Sequence, residues 1–174
     1  MNALFFILVS LFFIILQTIV LPSFQWFPHC FDMVIINILF LSLLYSNYGV
    51  LGAVILIGLI MDSISGCAFF HHVFSYVWVY LLVQLFKQFV FQKSVVFIFL
   101  ISAVSVAIQQ GFAFFSMFII QGSASQGDFS VLIKQVGLAL MVIPLSIWFL
   151  NRFRYNWLYM GKIMKKRMIQ KYRD

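Results

Sequence analysis

Charged side chains inside apolar segments are the first candidates for chemistry in this sequence. The carboxylates of the chain are Asp32, Asp62, Asp128 and Asp174, and their spacing forms no obvious acid/base pair. Asp62 lies in the apolar segment 58–66 (GLIMDSISG), where an unpaired charge in a membrane costs about 3 kcal/mol or more. We favour a buried polar anchor or ligand contact at Asp62. The alternative is a residue at a helix end that reaches the interface.

Lys134 is the other charge inside an apolar segment, about one turn into its helix. Its depth matches that of Asp62, so an ion pair between the two is one interpretation. The other, slightly favoured, is that the long side chain extends to the headgroups.

Histidines and cysteines cluster in or beside two loops. Imidazole and thiolate are zinc or copper ligands, but the sequence contains no C-x-x-C or H-x-x-x-H. We therefore predict no metal and no cofactor, and we favour free thiols over a Cys30–Cys67 disulfide. G-x-S-x-G, H-E-x-x-H and phosphate-binding glycine motifs are also missing from the sequence, so we predict that the chain is not an enzyme. The residues concerned are His29, Cys30, Cys67, His71 and His72.

The elements that must position these residues are membrane helices. Of the 174 residues, 64% are hydrophobic and 9% are charged, whereas a soluble domain has about a quarter charged residues. Lipid must therefore be the solvent, and the sequence predicts an all-α, polytopic integral membrane protein in one domain over 1–153. The predicted helices are 3–20, 33–46, 50–64, 72–90, 94–121 and 130–150, with Asp32 as N-cap of the second.

The second and third predicted helices are short, and at about 1.5 Å per residue they reach only about 21–24 Å. They form either tilted full crossings, which we favour, or a hairpin that does not cross fully.

The fifth predicted helix carries small residues at a four-residue interval, Ala103, Ala107 and Gly111. This spacing lets helices approach closely. Packing within the chain is the favoured interpretation, and contact with another membrane protein is the alternative. Gln109 and Gln110 lie near the middle of the same helix and need hydrogen-bond partners.

Basic residues predict the topology. Lys87 and Lys93 flank one helix junction and Arg152 and Arg154 follow the last span, so the positive-inside rule places both junctions in the cytoplasm. Six spans with both termini inside satisfy these positions. The outward loops at 21–32, 65–72 and 122–129 then contain no Lys or Arg.

The C-terminal segment 154–174 is predicted to be a basic tail containing an amphipathic helix over 155–172, with Trp157 on its apolar face. Such a tail binds anionic lipid at the cytoplasmic surface, which leaves little reason to infer nucleic-acid binding. Its surface-binding residues are predicted to be Trp157, Lys162, Lys165, Lys166 and Arg167.

A set of motifs over residues 16 to about 90 resembles a known family. They are Leu16-Gln17-Thr18, Leu21-Pro22, Asp32 opening a short helix, Gly49-Val50-Leu51-Gly52, the G-x-x-x-D-x-x-x-G element from Gly58 to Gly66, and Tyr76. Their order and spacing resemble MreD, the rod shape-determining protein D of bacteria. The segment 67–72 (CAFFHH) departs from the further Gly and Leu-rich stretch usual in that family. The rest of the chain is similar only in length, hydropathy and basic tail.

The resemblance implies a fold similar to the six-helix S components of energy-coupling-factor transporters. It also implies a non-catalytic scaffold for side-wall peptidoglycan synthesis in the bacterial inner membrane. The implied partners are MreC, RodA, a class B penicillin-binding transpeptidase and MreB. The alternative is a small-molecule-binding transport subunit, which would need a polar cavity built from groups such as Asp62, Ser63 and Lys134.

Overall fold

The computed structural model describes the backbone of residues 2–23, 31–66, 70–89, 95–121 and 129–171. The described part contains helices and no strand. They are α1 (Asn2–Ile15), α2 (Val34–Leu44), α3 (Tyr48–Ser65), α4 (His71–Phe89), α5 (Val95–Gln121) and α6 (Phe129–Lys171). A π-helical turn (Leu16–Val20) and a 3-10 turn (Leu21–Ser23) extend α1. The all-helical prediction is therefore confirmed for these residues.

Among the described residues, four segments are long and apolar enough to cross a membrane, namely Leu4–Ser23, Tyr48–Ser65, Val96–Ala113 and Ile133–Met160. The prediction that α3 is short is wrong, because the helix begins at Tyr48 and has 18 residues, about 27 Å. Its first turn closes on the carbonyl of Asn47, which accepts a hydrogen bond from the Val50 N–H at 2.9 Å. The structure thus supports a membrane protein with several spanning helices. That the chain crosses the membrane six times stays a prediction.

Helix α2 is the centre of the bundle and packs against α1, α3, α4 and α6. It has only 11 residues, and every residue from Val34 to Ser42 is buried. A helix that is apolar on all sides belongs in a core. α2 is therefore enclosed by the other helices, which explains how a helix too short for a full crossing is stable here.

Polar side chains attach α1 to this central helix. The Gln17 Oε1 accepts a hydrogen bond from the Met33 N–H at 3.0 Å, and the Asn37 Nδ2 donates to the Ser10 Oγ at 2.8 Å. Buried amides of this kind select one register between two apolar helices, because any other register leaves them unpaired.

The outer surface of the bundle is apolar. Large side chains such as Ile7, Phe12, Met141 and Trp148 are at least 60% exposed. Soluble monomers rarely present apolar surface on this scale, so the surface suits lipid.

Helix α6 is continuous over 43 residues and contains Pro144. The predicted end of this helix at Leu150 is wrong, and the predicted tail helix over 155–172 is its continuation as far as Lys171. The polar residues after Leu150 end the hydrophobic run. They do not break the helix, because Arg and Asn are tolerated inside helices at less cost than Pro and Gly. The predicted boundary between 153 and 154 is therefore a change in composition within one helix.

Candidate functional site

Several buried or half-buried polar residues of the bundle meet where α2 and α4 begin. We call Asp32, Asp62, His72, Tyr76 and Gln109 the polar cluster. They come from the start of α2, the last turn of α3, the first turns of α4 and the middle of α5.

Asp32 lies at the entry to α2 and is 8% exposed. Its Oδ1 accepts a hydrogen bond from the Val34 N–H at 2.9 Å, and its carbonyl accepts one from the Ile35 N–H at 3.2 Å. A negative charge is favoured at a helix N-terminus, where N–H groups lack partners within the helix. The predicted capping of the second helix by Asp32 is confirmed.

The second oxygen of Asp32 joins three helices. The Asp32 Oδ2 accepts hydrogen bonds from the Tyr76 hydroxyl and from the Gln109 Nε2 at 2.8 Å. The His72 Nδ1 lies 3.6 Å from the same oxygen. A carboxylate surrounded by donors offsets the large cost of removing a charge from water. This contact gives the Gln109 Nε2 the partner that was predicted for this side chain, while its Oε1 has none among the described residues.

Asp62 caps the next helix along the chain. Its Oδ1 accepts a hydrogen bond from the His72 N–H at 2.8 Å, and its Oδ2 accepts one from the Val73 N–H at 3.2 Å. The side chain is buried at 9% exposure. The structure thus places Asp62 as a buried anchor on the backbone of a neighbouring helix, and not as an exposed residue at the interface.

Two glycines shape the α3–α4 joint around Asp62. A Cβ on Gly58 would lie 2.7 Å from the Val73 Cα, so the two helices approach here more closely than any side chain permits. Gly66 ends α3 with a φ of +62°, and its N–H donates to the Asp62 carbonyl at 3.1 Å. Glycine adopts this left-handed conformation at little cost. Each defined residue of the G-x-x-x-D-x-x-x-G element therefore has a structural role. Gly58 allows the close helix contact, Asp62 caps α4, and Gly66 ends α3.

Lys134 lies apart from this joint. Its side chain is exposed, and among the described residues no ion pair joins it to Asp62. The ion-pair interpretation is therefore wrong, since a side chain that reaches the surface leaves the capping carboxylate to backbone donors. The neighbouring Gln135 accepts a hydrogen bond from Gln110 and links α5 to α6, which meets the predicted need of Gln110.

Two of the three small residues of α5 form no close contact with the rest of the described chain. Ala103 is half-buried, but Ala107 and Gly111 are exposed, and no other described residue has an atom within 4 Å of a Cβ built on Gly111. The favoured interpretation, packing within the chain, is wrong for these two residues because α5 turns this face outward. Contact with another membrane protein stays a prediction.

The other end of α2 is bound by α4, which sequence reasoning did not find. The Gln84 Nε2 donates to the carbonyls of Ser42 and Tyr45, both at 3.2 Å, and the Lys87 Nζ donates to the Ser42 carbonyl. The signal was present in the sequence as one polar face of α4, formed by His72, Tyr76, Tyr80, Gln84 and Lys87 at helical spacing.

Trp157 and the residues before it contact the bundle. The Trp157 ring lies 5.9 Å from that of Phe5 on α1, and the Arg154 guanidinium lies 5.9 Å from the centre of the Tyr45 ring. Trp157 is thus packed on α1, in addition to its predicted place at the membrane surface. The side chains of Lys162, Lys165, Lys166 and Arg167 lie outside the described residues.

No group of three His, Cys, Asp or Glu residues that could hold a metal is found in the described part of the chain. His71 begins α4 and His72 belongs to the polar cluster. His29, Cys30 and Cys67 lie outside the described residues, and the disulfide alternative lies there with them.

Fold and site together define a class, a membrane protein that is helical throughout its described residues and is built around a short buried helix whose two ends are held by polar side chains. Comparison with protein-family models, with characterised proteins and with solved structures found no match.

Proposed function

We propose that this chain is a non-catalytic membrane scaffold of the bacterial cell-elongation complex, a member of the MreD family that supports side-wall peptidoglycan synthesis. The observation that carries the proposal is the use of its buried carboxylates. Asp32 and Asp62 each accept backbone N–H groups at the start of a helix. Carboxylates used in this way fix the positions of helices, which supports a structural role.

The resemblance to MreD supports the proposal at the same residues. The G-x-x-x-D-x-x-x-G element that carries much of the resemblance is the α3–α4 joint. A scaffold needs helices held in one arrangement, because its partners recognise a surface. Capping and close packing supply that rigidity.

MreC is the proposed direct partner, with RodA, a class B penicillin-binding transpeptidase and MreB in the same assembly. The exposed α5 residues Ala107 and Gly111 are proposed as part of the contact face, since small residues allow a second helix to approach closely. The protein is proposed to lie in the inner membrane in six crossings, with a fold similar to an S component. Both termini are proposed to be cytoplasmic, with the basic residues after 160 on anionic lipid.

A second candidate, a small-molecule-binding transport subunit, is favoured by particular buried atoms. The Ser75 Oγ and the Gln109 Oε1 are buried, and neither has a hydrogen-bond partner among the described residues. Buried polar atoms are usually paired with protein or water, so a small polar ligand that reached either atom would satisfy it.

Co-purification of the full chain from native membranes, with mass spectrometry of the recovered proteins, tests the proposal. We expect MreC to be enriched, and we expect Gly111→Leu to reduce its recovery without lowering membrane abundance. Met141→Leu is the matched control because Met141 is 81% exposed on a different helix. Recovery of transporter energising subunits in place of MreC would contradict the scaffold and favour the transport subunit.

A further inference from the structure

Basic and aromatic side chains meet at the end of the bundle where α2 ends. We call this group, formed by Phe5, Phe6, Tyr45, Arg154 and Trp157, the basic-aromatic site. The Arg154 guanidinium lies 5.9 Å from the centre of the Tyr45 ring, and the Tyr45 ring lies 5.5 Å from that of Phe6. The Trp157 ring lies 5.9 Å from that of Phe5. Arg154 and Trp157 are three residues apart and therefore side by side on α6, so these contacts converge between α1, α2 and α6.

The positive charge of this site has no carboxylate partner within the described part of the chain. The carboxylates described there are Asp32 and Asp62, and both belong to the polar cluster at the other end of α2. Helix α2 has 11 residues, which separates its two ends by about 17 Å. Arg154 is half-buried, and no described residue forms an ion pair with it. The anion that complements its guanidinium must therefore come from outside these residues.

A second donor at the site also lacks a partner. The Trp157 Nε1 is buried and has no hydrogen-bond acceptor among the described residues, although buried N–H groups are normally paired. The indole and the guanidinium can only donate hydrogen bonds. Two neighbouring donors of this kind suit a group that is negatively charged and accepts several hydrogen bonds, and a phosphate has both properties.

The apolar surroundings favour the phosphate of a lipid over a phosphate in solution. Phe153 and Phe149 are exposed on α6, and their rings stack at 6.3 Å. The Phe153 ring also stacks on that of Phe5 at 6.4 Å, at the edge of the basic-aromatic site. Phe149 lies one turn closer to the middle of the apolar segment Ile133–Met160. The charged groups are thus continuous with an exposed apolar strip, and a phospholipid has the same arrangement of a charged head group on apolar chains.

We propose that the basic-aromatic site binds the phosphate of an anionic phospholipid. The phosphate oxygens accept hydrogen bonds from the Arg154 guanidinium and the Trp157 indole N–H, and an acyl chain lies along Phe153 and Phe149. Trp157 is half-buried, and a small turn of its ring brings the N–H to the phosphate. Basic pockets between membrane helices bind lipid head groups in this way. The site is separate from the basic residues after 160 and does not depend on the proposed scaffold function.

The test is lipid binding by the full chain purified in detergent, followed by native mass spectrometry and thermal unfolding. The probes are phosphatidylglycerol, phosphatidylcholine and inorganic phosphate. We expect phosphatidylglycerol to be retained and to raise the unfolding temperature. Phosphatidylcholine should bind more weakly because the unbalanced positive charge repels its choline, and inorganic phosphate should not raise the unfolding temperature. Equal stabilisation by phosphatidylglycerol and by either other probe would overturn the proposal.

Arg154→Gln and Arg152→Gln are a matched pair of variants. Each removes one positive charge from α6, but Arg152 is exposed and lies outside the site. We expect Arg154→Gln to weaken phosphatidylglycerol binding about tenfold, because a charged hydrogen-bond donor is lost. Arg152→Gln should weaken it less than about threefold. Equal losses would show that charge alone attracts the lipid, which would overturn the proposal.

Trp157→Phe keeps the test decisive if Arg154→Gln does not fold, because phenylalanine keeps an aromatic ring beside Phe5 and removes the N–H. We expect it to weaken phosphatidylglycerol binding about threefold. Trp148→Phe is its control, since Trp148 is exposed on the same helix, and should leave binding unchanged. Unchanged binding in Trp157→Phe would contradict the phosphate contact. An acidic protein bound to wild type but not to Arg154→Gln, with no phosphatidylglycerol retained, would replace the lipid as occupant.

Discussion

The two ends of the central helix α2 are held in different ways. At its N-terminus the carboxylate of Asp32 accepts hydrogen bonds and is itself held by Tyr76 and Gln109. At its C-terminus the donors Gln84 and Lys87 bind free carbonyls. Each end thus receives the charge that complements the helix dipole, negative at the start and positive at the end.

One neighbouring helix serves both ends. The polar face of α4 presents His72 and Tyr76 to the start of α2 and Gln84 and Lys87 to its end. Between them, the fully buried Val79 adds apolar contact. The comparison teaches that a short buried helix needs both unsatisfied ends paired from outside itself, and that one amphipathic neighbour of suitable length supplies this.

The largest expected effect is at the N-terminal end. Asp32→Ala removes the acceptor of the Tyr76 hydroxyl, the Gln109 amide and the Val34 N–H. We therefore expect the free energy of unfolding to fall by about 3 kcal/mol or more. Asp32→Asn keeps an acceptor and should lower it less. Membrane abundance and thermal unfolding in detergent measure this loss of stability. Wild-type values for Asp32→Ala would show that the hydrogen bonds of Asp32 do not stabilise the start of α2.

Removing the cap of α4 should give the next largest loss of stability. Asp62→Ala should lower the free energy of unfolding by about 1–3 kcal/mol because two N–H groups lose their acceptor, and Asp62→Asn should lower it less. Lys134→Met should leave stability unchanged and should not rescue Asp62→Asn, since the two side chains form no ion pair. Rescue by Lys134→Met in the same unfolding assay would restore the ion-pair interpretation.

Close packing at the α3–α4 joint gives a matched pair of glycine variants. Gly58→Ala should destabilise by about 1–3 kcal/mol because the new Cβ meets backbone of Val73. Gly52→Ala, on the same helix with nothing within 4 Å, should be neutral or stabilising by about 0.5–1 kcal/mol. Equal unfolding temperatures for the two variants would show that α3 and α4 do not approach closely at Gly58.

A smaller effect is expected at the C-terminal end of α2. Gln84→Leu removes one donor shared by two carbonyls, and Lys87 still reaches one of them, so we expect about 1 kcal/mol. Gln88→Leu is the control, because Gln88 is exposed on the same helix. A loss of stability as large as that of Asp32→Ala would show that the two ends of α2 contribute equally to stability.

The amino-acid sequence by itself determined that the chain is helical, that lipid is its solvent and that Asp32 begins a helix. Hydropathy and capping are properties of neighbouring residues, so they can be read locally. The same information predicted that Asp62 and Gln109 need partners, because polar groups among apolar ones are costly when unpaired.

Only the tertiary structure decided which partners these are. Tyr76 and Gln109 reach Asp32 from 44 and 77 residues away. It also decided that α2 is enclosed, that Ala107 and Gly111 face outward and that α6 continues past Leu150. The physical reason is that in a membrane protein both the interior and the lipid-facing surface are apolar. An apolar pattern therefore identifies helices, but it does not indicate which face of each one is buried.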